Sequence, residues 1–210
     1  MKNDPKKLLR YTPFERASHW LTAITFILLA LSGLCFFHPA FYPLSQLFGG
    51  GVWTRILHPF IGVVMAVSFG VEFFNYRQLN VMTPSDWEWL KHIREMVAGD
   101  DRNMPEAGKF NAGQKLLFWL LAICMALLIL SGIVMWRAYF SFLFPIALIR
   151  FASVVHAVAA TFMIALIIFH IYASIWTKES IRAMLYGRVR RAWAKQHHPA
   201  WYREMTGGGK

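Results

Sequence analysis

Four stretches of the chain carry almost no charge, and segments rich in basic and turn-forming residues separate them. Trp20–Phe37 is uncharged over 18 residues, Leu116–Trp136 over 21 and Phe151–Trp176 over 26. Ile56–Tyr76 holds only Glu72 and, near its start, His58. Each run is close to or beyond the roughly 20 apolar residues a helix needs to cross a hydrocarbon core. The pattern predicts an all-α integral membrane protein, a four-helix transmembrane bundle with spans at 19–37, 56–76, 114–136 and 150–177. The first run continues to spanning length with no small-residue cleavage site, so it is expected to stay as an anchor.

The connections are unequal. Residues 38–55 hold His38, Pro39, Pro43 and Gly49–Gly51, a turn-rich loop in which His38 is a loop residue. Pro59 suits the first turn of the second span, or lies within that helix if the helix begins earlier. Residues 77–110 are the one long connection. Within it Ser85–Val97 predicts an interfacial helix capped by Ser85, with Trp87, Leu90, Ile93, Met96 and Val97 as its apolar face and His92 solvated. The acids Asp86, Glu88, Glu95, Asp100 and Asp101, mixed with basic residues, suit a surface that meets a partner. Residues 1–18 read as a polar lead, 19–176 as the membrane domain and 178–210 as a basic tail ending in an unstructured Gly-Gly-Gly-Lys. No internal repeat and no soluble domain with its own core is expected.

The formal net charge of +11 could indicate nucleic acid, but its distribution points to a membrane. Of the 22 Lys and Arg, 19 lie before the first span, in or beside the 77–110 connection, or after the last span. Only Arg55, Arg137 and Arg150 lie in the other two loops. The positive-inside rule therefore puts both termini and the long loop in the cytoplasm of a bacterial inner-membrane protein. The basic tail is expected to rest against anionic headgroups. Cys35 and Cys124 sit inside apolar runs and read as buried thiols, not a disulfide.

The candidate chemistry lies in the histidines. His156 and His170 are 14 residues apart in the last apolar run. That spacing is ~21 Å of helix and nearly four whole turns, so both imidazoles share a face. Ionisable side chains inside a span are costly and usually mark a site. By depth, His58 is level with His156 near the outer end, and His19 is level with His170 near the inner end. Alone, His19 reads as an interfacial residue beside Trp20. Together the four make two pairs.

One imidazole on each face of a planar macrocycle suits haem, whose apolar ring matches Leu, Ile and Phe walls. Zinc would require three or four ligands per site. Iron with two axial histidines leaves no position for substrate, which points to electron transfer. Arg16 inside, and Arg55, Arg137 or Arg150 outside, are candidate partners of the propionates. Glu72 is either a proton-handling carboxylate or a residue reaching the headgroups. His197 and His198 could bind metal in isolation, but beside Lys195 and Pro199 they read as a surface loop. Asn111 followed by Gln114 is a capping-box pattern that by itself needs no function.

These residues also carry a resemblance. The segments ERASHW (15–20), RILHPF (55–60), GKFNAGQK (108–115), SGIVMWRAYF (131–140), IRFASVVHA (149–157), HIYASIW (170–176) and WAKQHHPAWYRE (193–204) resemble the cytochrome b (gamma) subunit of respiratory formate dehydrogenases, over nearly the whole chain. Ala138 stands where that pattern has a proline. The resemblance implies two haems b, with His58 and His156 on the outer iron and His19 and His170 on the inner. It implies a menaquinone site near the inner haem formed by Asn111, Gly113 and Gln114, with His170 beside it. The implied partners are an iron–sulfur beta subunit and a molybdenum or tungsten alpha subunit that oxidises formate outside, with a higher oligomer of the complex left open. Electrons are then expected to pass inward to quinone, which takes up cytoplasmic protons. The rival readings are a di-haem cytochrome b of a hydrogenase or of a thiosulfate or polysulfide reductase, and a non-redox transporter with proton-relay histidines.

Overall fold

The computed structural model describes residues 6–97, 104–177 and 179–207. Lys2, Asp100, Asp101, Arg102, Lys178 and the end of the glycine-rich terminus lie outside the described residues, as do the side chains of Met96 and Val97. Among the described residues four helices are long and apolar enough to cross a membrane: α1 (Pro13–Phe37), α2 (Gly51–Tyr76), α5 (Ala112–Met135) and α6 (Ile146–Trp176). Between α2 and α5 come α3 (Pro84–Lys91) and α4 (Ile93–Val97). After α6 the chain forms α7 (Ser180–Tyr186), β2 (Arg188–Arg190), α8 (Arg191–His197) and α9 (Pro199–Thr206), and β2 pairs with β1 (Lys7–Leu9). Among the described residues the regular structure is all helical apart from that ribbon.

Helix limits follow capping chemistry more closely than hydropathy. At the start of α1 the Thr12 N–H donates to Glu15 Oε2 (2.7 Å) and the Glu15 N–H to Thr12 Oγ1 (3.2 Å), a capping box with Pro13 as first helical residue. The helix thus begins several residues before its apolar run. Similarly α2 begins at Gly51, which places Pro59 in its interior. The segment 39–48 forms a 3-10 helix, not an open loop; the His38 side chain caps it by accepting from the Ala40 N–H. The expected Ser85 cap is replaced by Thr83, which exchanges hydrogen bonds with Asp86 in a full capping box. Asp86 and Trp89 are buried, Trp87 faces outward, and α3 ends at Lys91 with His92 as its C-cap before α4. At the end of α5 no proline is needed: Trp136 packs edge to face with both Tyr139 and Phe140 after Met135, with Phe60 against Trp136.

The chain divides into two compact units. One is Ala17–Phe74 with Leu121–Phe169. Its interior is Met65, Cys124, Met125 and Met163, with Phe26 and Leu29 against them, so all four long helices contribute. Small and hydroxylated side chains such as Thr25, Ser32, Ser68, Ser131 and Ala159 are buried, while Val67, Leu130 and Val158 face outward. That inside-out arrangement suits a bundle in lipid, where small residues let helices approach and apolar bulk meets acyl chains. Cys35 and Cys124 are buried free thiols.

The other unit is Met1–Arg16, Asn75–Leu120 and His170–Lys210. It contains a core that the apolar runs do not announce: Leu8, Tyr11, Ala183, Val189, Trp193, Ala194 and Trp201 are buried together. The polar lead and the basic tail, expected as separate flanks, pair antiparallel with Leu8 opposite Val189. The N–H groups of Arg10 and Tyr11 both donate to the Gly187 carbonyl (2.9 and 3.2 Å). Gly187 has φ +77°, and a Cβ there would stand 2.6 Å from the Tyr11 carbonyl oxygen, so the position requires glycine. His198, expected in a surface loop, is buried. Its Nδ1–H donates to the Gly108 carbonyl (2.7 Å) while Arg10 Nη2 lies 3.2 Å from Nε2. Proximity of distant segments, invisible in local pattern, buries it.

Candidate cofactor sites

His58 on α2 and His156 on α6 meet inside the first unit. Their ring centres are 6.3 Å apart with the planes at 61°. Two imidazoles bound to opposite sides of one metal, each at a bond length of about 2 Å, set their ring centres roughly 6 Å apart. Nδ1 of His58 lies 2.7 Å from Ser32 Oγ, and Nδ1 of His156 lies 2.9 Å from Ser131 Oγ. With Nδ1 engaged on both rings, Nε2 is the nitrogen left for a metal.

Glycines adjoin both contacts. An added Cβ at Gly33 would sit 3.6 Å from His58 Cε1, and one at Gly132 would sit 3.6 Å from His156 Cε1. Because Cε1 is bonded to Nε2, a side chain at either position would grow along the edge that a ligated metal uses. Among the described residues no three His, Cys, Asp or Glu side chains converge as a metal site. A facing pair of imidazoles with cleared edges fits haem and does not fit zinc.

The family model for prokaryotic cytochrome b561 matches residues 10–187. The chain belongs to the prokaryotic cytochrome b561 family. It is 47% identical over 198 residues to the formate dehydrogenase cytochrome b556(fdo) subunit of Escherichia coli K12, covering 94% of this chain and 93% of that protein. The nitrate-inducible formate dehydrogenase cytochrome b556(Fdn) subunit of the same strain is 40% identical over 200 residues, 95% of this chain and 92% of that protein. A formate dehydrogenase cytochrome b556 subunit of Haemophilus influenzae is 38% identical over 204 residues, 97% of this chain and 85% of that protein. The resemblance read from the sequence motifs is borne out, and haem b is the cofactor that the family implies.

Asn111, Gly113 and Gln114 lie in the second unit of this cytochrome b, at the start of α5. The Asn111 N–H donates to Gln114 Oε1 (3.0 Å) and the Gln114 N–H to Asn111 Oδ1 (2.9 Å), the reciprocal box that the spacing predicts. A backbone N–H must meet an oxygen, so these bonds also assign both carboxamides. Each oxygen is engaged, which leaves the NH2 groups as donors for a ligand. A Cβ at Gly113 would lie 3.7 Å from the Trp89 ring, so the buried indole of α3 adjoins the same helix start.

One side-chain bond holds α3 there and another holds the segment leading into it. Lys115 Nζ donates to Asp86 Oδ2 (2.7 Å), and Trp119 Nε1 donates to the Asn80 carbonyl (2.9 Å). Burial opposes the charge on Asp86, but hydrogen bonds from Lys115 and Thr83 outweigh it and hold the carboxyl below its ordinary range.

His19 lies in the first unit, its ring centre 6.0 Å from that of Trp20, and His170 lies in the second. Glu72 does not extend away from the bundle: Thr22 Oγ1 donates to it at 2.8 Å and Ser18 Oγ at 3.4 Å. Arg16, a candidate propionate partner, gives Nη1 to the Leu185 carbonyl (2.8 Å). Sequence reasoning missed Ser32, Gly33, Ser131, Gly132 and Trp89. A Ser-Gly step about one hairpin before each outer-depth histidine was the available signal for the first four. Trp89 carried none.

Proposed function

We propose that this chain is the di-haem cytochrome b membrane subunit of a formate dehydrogenase complex, which anchors the catalytic subunits and delivers their electrons to menaquinone at the cytoplasmic side. The 6.3 Å spacing of His58 and His156 carries this reading. The relatives are formate dehydrogenase subunits along nearly their whole length, which favours formate over a hydrogenase or sulfur-compound partner.

In this reading His58 and His156 hold the outer haem b, and His19 and His170 hold the inner one. When bound, the haems supply a one-electron relay between a partner's iron–sulfur centres and menaquinone. The partners are an iron–sulfur beta subunit and a molybdenum or tungsten alpha subunit. Asn111 and Gln114 hold the quinone by donating from their NH2 groups to its carbonyl oxygens, with Gly113 allowing close approach. Reduction consumes cytoplasmic protons while electrons move inward, and the two together contribute to the proton-motive force. The charge bias of 19 against three supports a topology with both termini and the 77–110 connection on the cytoplasmic side of an inner membrane.

The test is a dithionite-reduced minus oxidised visible spectrum of the complex, with haem counted per cytochrome chain. Two b-type haems support the assignment. One haem removes a histidine pair from it. None, in a folded and cofactor-replete preparation, overturns it in favour of a non-redox membrane protein.

A further inference from the structure

Leu31-Ser32-Gly33 in α1 recurs as Leu130-Ser131-Gly132 in α5. Ser32 precedes its histidine partner His58 by 26 residues, and Ser131 precedes His156 by 25. In both copies the serine oxygen meets Nδ1 of the imidazole, and the next residue, a glycine, lies against Cε1 of the same ring. The hairpins α1–α2 and α5–α6 therefore build the two halves of the outer site in the same way. Both serines are buried, Ser32 completely.

The direction of each bond follows from what else the hydroxyl touches. Ser32 Oγ lies 2.8 Å from the Leu28 carbonyl, and Ser131 Oγ lies 2.5 Å from the Leu127 carbonyl. A carbonyl oxygen only accepts, so each hydroxyl's single proton is committed to its own helix. The serine oxygen then accepts from the histidine, which puts that ring's proton on Nδ1 and the lone pair on Nε2.

We propose that Ser32 and Ser131 are matched positioning residues that lock His58 and His156 in the Nδ1–H tautomer, so that both present Nε2 to one metal with equal donor strength. The inference rests on reading these histidines as ligands of the outer haem. A hydrogen bond accepted from the far nitrogen orients a ligating imidazole and raises its basicity. A hydroxyl does this more weakly than a carboxylate would, and it brings no charge into the bilayer.

The experiment is a redox titration of the purified complex carrying Ser32→Ala, Ser131→Ala or both, with the low-spin haem EPR signals recorded alongside. Each single variant is expected to keep two haems, to shift the midpoint potential of one and the same haem to more positive values, and to alter that haem's largest g-value. The double variant is expected to shift it by about the sum. Ser→Thr at either position should restore the parent potential, because the hydroxyl returns. Unchanged potentials and g-values in the alanine variants overturn the proposal, as do shifts in two different haems. Should an alanine variant lose the haem, recovery in Ser→Thr supports the role and failure to recover refutes it. His58→Ala serves as the control on the underlying assignment: full haem retention there removes the ligand reading itself, an outcome distinct from an unshifted potential in the serine variants.

Discussion

Arg10 Nη2 lies 3.2 Å from His198 Nε2, joining residues 188 positions apart. Arg10 also donates to the Lys109 carbonyl (2.7 Å) and is flanked by the rings of Trp193 and Trp201, 5.3 and 5.0 Å from its guanidinium carbon. The clasp requires a neutral His198, since Nε2 must accept. Burial first, and the Arg10 charge second, push the histidine down from 6.5 to about 3. Between those values the unfolded chain binds the proton that the folded chain refuses, so stability rises with pH through that window. The clasp is at full strength above pH 6.5 and weakens as pH falls toward 3. Hydrogen exchange at Gly108–Asn111, corrected for intrinsic rates, should be faster at pH 5 than at pH 7. His198→Gln, which has no such proton to gain, should remove most of that difference.

His58→Ala and His156→Ala are expected to give the same spectrum. Each removes one of the two imidazoles that stand 6.3 Å apart, so each should cost the same single haem and leave the other. Haem counted per chain, with a redox titration to name the survivor, checks this. Different survivors in the two variants would break the pairing.

At Asn111 two roles separate. Asn111→Asp keeps an oxygen for the Gln114 N–H but removes the NH2 donor, so α5 should start unchanged while quinone KM rises about fivefold for one hydrogen bond of roughly 1 kcal/mol. Asn111→Ala should show the same KM defect and also lose about 1 kcal/mol of capping. Quinone titrations and thermal melts of the two variants distinguish them; an Asp variant with parent KM would free Asn111 from quinone contact.

Gly187→Ala should open the lead–tail ribbon. A non-glycine residue at positive φ costs about 1–2 kcal/mol, and the added Cβ would press within 2.6 Å of a backbone oxygen that has little freedom to move. Trypsin should cut faster at Arg188, Arg190 and Arg191 in the variant. Unchanged cleavage would mean that the ribbon absorbs the methyl.

Thr22→Val removes the closest hydrogen bond to Glu72, at 2.8 Å. Polar contacts inside membrane bundles are worth roughly 0.6 kcal/mol on average, so a drop of a few degrees or less in thermal midpoint is expected. Glu72→Gln, which can still accept from Thr22, should change it less.

Local pattern served well where one segment contains the whole cause. The absence of charge over about 20 residues marks a span because lipid solvates no ions, and that is decided within the run itself. The Asn111–Gln114 box was legible for the same reason: donor and acceptor are three residues apart on one turn. Ser85 failed as a cap because Thr83 and Asp86 satisfy one another better, with Pro84 preset as first helical residue. The start at Pro13 lies ahead of the apolar run, and the start at Gly51 settles the two readings of Pro59 for the earlier beginning, since hydropathy reports where lipid begins and a helix can begin earlier in water.

The chain by itself determined the four spans, the charge asymmetry, the four candidate histidines and the family, because each is written in composition or in short motifs. Tertiary structure decided that His58 and His156 face one another, that Ser32 and Ser131 engage their rings, and that a polar lead and a basic tail share a core around Trp193 and Trp201. Those facts depend on which surfaces meet after folding. A hydroxyl 26 residues from an imidazole has no local mark, and only the packing of one helix on another brings it to 2.7 Å.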